Sequence, residues 1–265
     1  MKQINIRHKR KNTDLFFDSL KHFKNNLSNL IGVELPTLES IGVEKYLNLI
    51  SVNYKSKYPD MRKIGLISYD KPSDYSFSLS LEAEEIKKAL GDSWSSYAYD
   101  DNALKSGRKN INSLSSKELL SLIPCFDQYK QSVLQLILSY YDTADSIRPY
   151  LVLLNYIRKH NITNMSKEIL QNILAHTKED ILLMRYNANA FKSLDSKTQG
   201  ELDRPISYIY NFLQTALVLD CSYNVIVDFN LVDRLNATMD NMILYHGAKI
   251  IRDQQRSSDF LEKKS

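Results

Sequence analysis

One pattern occurs twice along the chain and limits its fold more than any other feature. A helical segment leads into two short strand-like runs that are separated by a turn, and a new helical segment follows. The first copy occupies residues 61–90, with a turn at 71–74, and the second occupies residues 204–235. Turn-forming residues between two such runs indicate a β-hairpin. A helix followed by a hairpin is typical of the wing of a winged helix, so the pattern predicts two winged-helix modules.

The composition favours helices for the rest of the chain. Of the 265 residues, 43% are hydrophobic and 25% are charged, which is enough apolar material for a packed core. Seven Gly and six Pro are few for this length, and a β-sandwich needs more turns than they provide. We therefore expect a mainly α fold with short β-hairpin wings, arranged as two tandem winged-helix (helix-turn-helix) modules.

Local signals place several elements. Apolar residues at spacings of three and four predict an amphipathic helix over residues 14–31, followed by a turn or extended link at 33–37. Gly65 suits a left-handed cap after a helix. Ser80 is expected to cap a helix over 81–90, and Pro149 suits the first turn of another helix.

Changes in composition suggest the domain boundaries. Residues 93–115 are rich in Gly, Ser, Asp, Asn and Lys, which is typical of a linker. The expected organisation is a basic arm (1–12), a first winged-helix module (13–92), the linker (93–115), a second winged-helix module (116–235) and a C-terminal helix and tail (236–265).

Charge and cysteine content narrow the class of protein. The net charge is +4 and the isoelectric point is near 8.8, a mild basic excess. Cys125 and Cys221 lie far apart and lack the spacing of a zinc ribbon or a disulfide scaffold. With no apolar run of 18 residues and no signal peptide pattern, we expect a cytoplasmic protein without membrane contact.

The helix before the second hairpin is the candidate for reading DNA bases. In a winged helix, this helix usually enters the major groove. Its apolar residues fall on one side, and four polar residues at i, i+3, i+4 and i+7 share the opposite face. The predicted base-reading residues are Arg204, Ser207, Tyr208 and Asn211. Arg suits guanine and Asn suits adenine, although any surface helix carries polar residues at this spacing.

Three basic clusters are candidates for contact with the DNA backbone. Lys and Arg contacts to phosphate position a protein without specifying sequence, and a basic N-terminal arm can enter a minor groove. The predicted residues are Arg7, Lys9, Arg10, Lys55, Lys57, Arg62, Lys63, Lys105, Arg108 and Lys109. The alternative is that these clusters are solvated faces and that the arm is a disordered tail.

Catalytic patterns are weak in this sequence. The five His residues are scattered, and the sequence has no phosphate-binding loop, G-x-S-x-G or H-E-x-x-H pattern. We therefore predict no metal site and no cofactor in this chain. One arrangement, Asp60 followed by Glu85 and Lys87, is similar to the Pro-Asp…Glu-x-Lys pattern of metal-dependent nucleases. Here Glu85 and Lys87 fall in a strongly charged helical segment, where a solvated face is the simpler interpretation.

Several segments resemble the DNA-recognition half of type IIS restriction endonucleases. They are Lys-Ile-Gly-Leu-Ile at 63–67, the charged segment 81–90, and the segments 146–154 and 165–170. The resemblance covers most of residues 40–235. The family often has Leu-Thr-x-x-Gly before its charged helix, and residues 80–84 lack that Gly.

The resemblance implies that DNA recognition and DNA cleavage belong to separate domains or subunits. Recognition modules would bind a short asymmetric site in double-stranded DNA, and a separate nuclease domain or subunit, which alone would need Mg²⁺, would cut nearby. Three alternatives remain open. They are a winged-helix transcription regulator that binds as a dimer to a palindromic site, a set of winged helices that bind proteins, and a complete nuclease that uses Asp60, Glu85 and Lys87.

Overall fold

The computed structural model describes residues 14–49, 52–68, 77–91, 123–142 and 147–238. Within these ranges the chain is mainly helical, with one two-stranded antiparallel sheet. The mainly α fold class with a short hairpin is thereby confirmed. The predicted arm (1–12) and linker (93–115) lie outside the described residues.

The described helices and strands are short. In chain order they are α1 (Leu35–Asn48), α2 (Val52–Ile64), β1 (Ile67–Ser68), β2 (Ser78–Leu79), α3 (Leu81–Leu90), α4 (Phe126–Ser139), α5 (Pro149–Lys159), α6 (Lys167–Leu174), α7 (Lys178–Leu182), α8 (Ser196–Asp203) and α9 (Ile206–Thr215). The described residues up to Val227 form one compact unit. Residues 229–238 are helical and belong to a separate unit. Among the described helices, none has both the length and the apolar character needed to cross a membrane.

The N-terminal segment departs from the predicted helix over 14–31. Phe16–Ser19 form a 3₁₀ turn, and the helical chain starts only at Leu27. It continues through a π-helical stretch, Leu30–Glu34, into α1, so the predicted link at 33–37 is wrong. Pro36 lies in the first turn of α1, where a missing backbone N–H is tolerated. The apolar spacing reflects burial of the whole segment rather than one helical stripe.

The first hairpin forms as predicted. Ile67 pairs with Leu79 and Ser68 pairs with Ser78, and the connection over 69–76 lies outside the described residues. Gly65 adopts a φ of +84°, a left-handed conformation that Gly reaches without steric cost. Ser80 caps α3, because its hydroxyl oxygen accepts a hydrogen bond from the Ala83 N–H at 3.0 Å. Local signals therefore predicted this helix–hairpin–helix segment correctly.

Helix α3 packs along α4 in an antiparallel pair. Two hydrogen bonds cross the pair, from Gln135 to Glu82 at 2.9 Å and from Gln128 to Glu85. Ile86 of α3 and Val133 of α4 are among the buried apolar residues of the two helices. The pair thereby joins the hairpin segment to the second half of the chain.

An aromatic cluster joins the N-terminal segment to the helices of the second half. The Phe23 ring lies 4.6 Å from the Phe212 ring and 4.9 Å from the Tyr140 ring, measured between centroids. Tyr150 stacks on Phe212 at 5.6 Å with nearly parallel planes. All four side chains are buried. Such ring pairs add about 0.5–1.5 kcal/mol each beyond the burial of their area.

A buried polar pair reinforces this junction. The Asn211 side-chain amide donates to the Ser28 hydroxyl at 3.0 Å, and the Asn211 carbonyl oxygen accepts from the Ser28 backbone N–H at 3.2 Å. Both residues are buried. The two hydrogen bonds fix the start of the N-terminal helix against α9.

We expect Asn211→Ala to lower the free energy of unfolding by about 1–3 kcal/mol, because it removes the two buried hydrogen bonds that Asn211 forms with Ser28. Urea unfolding followed by circular dichroism measures this change. Asn189→Ala is the matched control, since Asn189 is exposed and an exposed substitution should change stability by less than about 0.5 kcal/mol. Equal unfolding midpoints for the two variants would contradict the structural role of Asn211.

Candidate nucleic-acid interface

Helix α9, the predicted reading helix, is largely buried. Ile206, Ile209 and Leu213 face the core, as predicted. Arg204 and Ser207 are exposed, and Tyr208 is partly exposed. In the described part of the chain, Arg204 forms no ion pair. The exposed part of the predicted face therefore consists of the residues around the start of α9.

Asn211 does not share this exposed face. Helical spacing predicted it beside Arg204, Ser207 and Tyr208, but only 7% of its surface is exposed and Ser28 occupies its amide. The N-terminal segment covers α9 at this point, which the spacing along one helix cannot reveal. The prediction that Asn211 lies on the exposed face is therefore wrong, because its side chain forms buried hydrogen bonds with Ser28.

The basic residues predicted to contact the DNA backbone fall into different environments. Lys57 forms an ion pair with Glu34, whose side chain is 2% exposed. Lys63 is exposed, pairs with Asp60 and donates to the His22 carbonyl at 3.0 Å. Arg62 is exposed. The side chains outside the described part are those of Arg7, Lys9, Arg10, Lys55, Lys105, Arg108 and Lys109.

Lys57 belongs to a buried polar network. Glu34 accepts hydrogen bonds from the Tyr46 hydroxyl at 2.8 Å and from the Asn29 amide at 3.3 Å, in addition to the Lys57 ammonium. A buried carboxylate of this kind depends on its partners, because an unpaired buried charge is costly. Lys57 therefore has a structural partner that competes with any contact to phosphate.

The three residues of the nuclease-like pattern each have separate partners. Asp60 is buried and accepts from the Lys24 backbone N–H at 2.9 Å and from the Asn25 amide at 2.7 Å. Hydrogen bonds from Lys88 and Gln128 lower the pKa of Glu85 below its ordinary value. The remaining residue, Lys87, pairs with Glu39 at 2.6 Å. In the described ranges, no group of three His, Cys, Asp or Glu residues is placed to hold a metal ion.

A second small β arrangement lies at the end of α9. Leu219 forms an antiparallel bridge with Val225, and the Ile226 N–H donates to the Val218 carbonyl at 2.9 Å. Residues 163–165 pair with the other side of the same segment, through an Asn164–Asn224 bridge. The segment 223–225 is therefore the middle of three short paired segments.

The turn of this second hairpin is held by one carboxylate. Asp220 accepts from the backbone N–H groups of Ser222 and Asn224, each at 2.8 Å, and from the Asn224 amide at 2.9 Å. Partial burial raises the pKa of Asp220, but the hydrogen bonds from Asn224 and Ser222 lower it by more, so the net pKa is below the ordinary value.

Sequence reasoning missed an exposed loop, residues 184–191, that follows α7. We call it the tethered loop, because four side chains of α5, α6 and the adjoining turns hold its backbone. These hydrogen bonds join Tyr156 Oη to Arg185 O (2.9 Å), His160 Nε2 to Met184 O (3.1 Å), Asn187 N to His176 Nε2 (2.9 Å) and Phe191 N to Asn172 Oδ1 (3.1 Å). One signal was available in the sequence: Tyr156 and His160 lie four residues apart and so share a helix face.

Comparison with models of protein families, with curated proteins and with solved structures finds no match for this chain. Its function is therefore inferred from its own residues and their geometry.

We expect Lys57→Ala to lower the free energy of unfolding by about 2–3 kcal/mol, because it leaves the buried Glu34 carboxylate without its cation. The expected loss lies near or below the lower end of the range for fully buried ion pairs, since the Lys57 side chain is 17% exposed. Lys88→Ala is the control, since it removes an exposed ammonium that pairs with the partly exposed Glu85, and it should leave the urea midpoint nearly unchanged. A Lys57→Ala midpoint equal to that of wild type would show that Glu34 does not depend on this partner.

The Asp220 turn predicts a pH-dependent effect. Since the folded pKa of Asp220 is lowered, its contribution to stability is complete above the unfolded pKa of about 4 and disappears as the pH falls through the folded value. The stability deficit of Asp220→Ala relative to wild type should therefore be larger at pH 7 than at pH 3 in urea unfolding.

Ser222→Ala keeps the backbone N–H that Asp220 accepts, so it should show no comparable change with pH. An Asp220→Ala deficit that is the same at both pH values would contradict the role of the ionised carboxylate.

Proposed function

We propose that this protein reads a short sequence in double-stranded DNA through tandem winged helices. In this proposal it is the target-recognition part of a type II, IIS-like restriction endonuclease. The observation that supports this proposal most is the order of elements in residues 149–226. Helix α5, the segment 163–165, helices α6 to α9 and the hairpin 218–226 follow one another, and 163–165 pairs with the second arm of the hairpin.

This order supports a winged-helix interpretation of the second half. A winged helix combines a helix-turn-helix with a small β-sheet that ends in a hairpin. Helices α6 and α7 are joined by Ala175–Thr177, which is the connection length of a helix-turn-helix. Ser166 and Thr177 cap the two helices through side-chain hydrogen bonds. The segment from α2 through β1 and β2 to α3 supplies the corresponding hairpin in the first half.

The proposed contacts follow from exposure. Arg204, Ser207 and Tyr208 lie around the start of α9 and remain candidates to read bases, whereas Asn211 is no longer among them. Arg62 is exposed at the end of α2, before the first hairpin, and remains a candidate to contact phosphate. Arg pairs with guanine through two parallel hydrogen bonds, and phosphate contacts set the register of the protein on the duplex.

Cleavage is assigned to an associated nuclease domain or subunit that would use Mg²⁺. Asp60 and Glu85 already accept hydrogen bonds from other protein groups. These contacts favour recognition over catalysis as the role of the described residues.

Selection from a randomised pool of duplex DNA at about physiological salt, with Ca²⁺ and then Mg²⁺, tests the proposal. Enrichment of one short asymmetric sequence bound by a monomer, without cleavage by this chain, is the expected result. A dimer bound to an inverted repeat would instead identify a transcription regulator. Absence of enrichment at any salt concentration would contradict DNA reading altogether.

On the selected duplex, Arg204→Ala should weaken binding by about 1–3 kcal/mol and relax the preference at one base pair. Arg62→Ala should weaken binding to all sequences similarly and reduce the salt slope by about one unit. Lys88→Ala is the control for loss of a surface cation outside these positions. If Arg204→Ala leaves both affinity and preference unchanged, the start of α9 does not read the duplex.

A further inference from the structure

The tethered loop is exposed, but several hydrogen bonds from buried and partly buried side chains hold its backbone. Most of its residues lie on the surface, yet four side chains behind it, from Tyr156 to His176, contribute hydrogen bonds to its backbone. Tyr156 and His176 are buried. Burial raises the pKa of Tyr156 to about 12, so its hydroxyl stays protonated at neutral pH and can donate to the Arg185 carbonyl.

The start of the loop is fixed by the end of α7. Met184 has a φ of +53°, a left-handed conformation that commonly closes a helix, and the N–H groups of Met184 and Arg185 donate to the carbonyls of Ile181 and Asp180. The His160 ring also holds the Met184 carbonyl at 3.1 Å. Loops that a rigid scaffold holds in place often carry binding residues.

The loop presents side chains suited to nucleic acid. Tyr186 is 55% exposed, and Arg185 and Asn189 are also exposed. Within the described chain, neither the Tyr186 hydroxyl nor the Asn189 side-chain amide has a hydrogen-bond partner. Tyr and Asn side chains donate to phosphate, Asn pairs with adenine, and Arg pairs with guanine or phosphate.

Cations and carboxylates both lie around the loop. Arg158 and Lys159 are exposed immediately before His160, and Arg185 adds a third cation. The Arg185 guanidinium lies 3.3 Å from the Asp180 carboxylate and 3.9 Å from that of Glu179, and these contacts orient it without removing it from the surface. The surface therefore combines three cations with uncharged donors, and two carboxylates partly balance its charge.

The loop borders the same helix as the proposed reading residues of α9. Asn172 of α6 accepts from the Phe191 N–H, at the end of the loop. The preceding residue, Gln171, donates to Asp203 at 2.6 Å, next to Arg204. The loop also directly follows α7, the second helix of the helix-turn-helix pair. The two segments therefore flank α6.

We infer that the tethered loop is a duplex-reading element of the second module, with Arg185, Tyr186 and Asn189 as its DNA contacts. This inference depends on the proposed function, and it names residues for that function that helical spacing did not identify. Tyr156, His160, Asn172 and His176 are positioning residues: they hold the loop and do not touch the duplex.

The first test compares Arg185→Ala, Tyr186→Ala and Asn189→Ala with wild type on the duplex enriched by selection. Each should weaken binding about fivefold or more, the usual loss for one base or phosphate contact. Tyr141→Ala is the matched control, since Tyr141 is 46% exposed and lies at the end of α4. Thermal melting should be nearly the same for the Arg185, Asn189 and Tyr141 variants, because each of these changes is at the surface. The Tyr186 ring also lies beside His160 and His176, so Tyr186→Phe, which keeps the ring, tests the hydroxyl alone.

The second test loosens the loop without changing its exposed side chains. Tyr156→Phe removes the hydroxyl that donates to Arg185 O and keeps the buried ring. We expect weaker DNA binding and faster hydrogen exchange of the Asn187 amide proton, whereas a change in core packing alone would leave affinity unaltered. Unchanged affinity of Tyr156→Phe would contradict the positioning role.

The outcomes separate the inference from the proposed function. If wild type enriches no duplex, the proposed function fails and the inference fails with it. If wild type enriches a duplex but the three loop variants bind it as tightly as Tyr141→Ala does, only the inference fails. Selective loss in the loop variants supports both.

Discussion

The structure depends on the burial of α9 beneath the N-terminal segment. Phe212 of this helix lies at the centre of an aromatic cluster, and Asn211 is paired with Ser28 on the covering segment. Residues separated by about 180 positions thereby form one core. A helix in this position cannot offer a long face to DNA, so any reading surface must be formed by its exposed start and by neighbouring segments. Under the proposed function, the covering of α9 therefore limits DNA contacts to these exposed positions.

Buried polar groups define the local geometry around this core. Glu34 is bonded to Tyr46, Asn29 and Lys57, and Asp60 fixes the backbone of Lys24. Each such group would be costly if its partner were absent. Their satisfied hydrogen bonds explain why several charged residues that look like surface contacts in the sequence are structural in the fold.

Features fixed by residues close together in the sequence were predicted correctly, whereas features fixed by distant residues were not. The Gly65 cap, the Ser80 cap and the first hairpin depend on residues a few positions apart, and local rules predicted them. The environment of Asn211 depends on Ser28, 183 residues away, and the helical period contains no information on that contact. The helix predicted over 14–31 was wrong for a related reason: Phe16 and Phe23 are buried by distant elements, so apolar spacing marked burial instead of a helix face.

The candidate site shows the same difference between local and long-range contacts. Exposure of Arg204 and Ser207 followed from amphipathic spacing, but the tethered loop has no periodic pattern and its order comes from side chains on two helices. His176 illustrates why. Its Nδ1–H donates to the Asn172 carbonyl at 2.6 Å, while its Nε2 accepts from the Asn187 N–H, an arrangement that requires a neutral imidazole with a defined tautomer.

In the sequence, His176 was one of five scattered histidines without metal-ligand spacing. In the fold it connects α6 to an exposed loop whose backbone would otherwise gain freedom, and freedom lost on binding reduces affinity. A loop fixed before it meets its partner avoids much of that loss. Under the proposed function, the interior of this part of the chain contributes to recognition by restricting the conformation of a surface that it does not itself form.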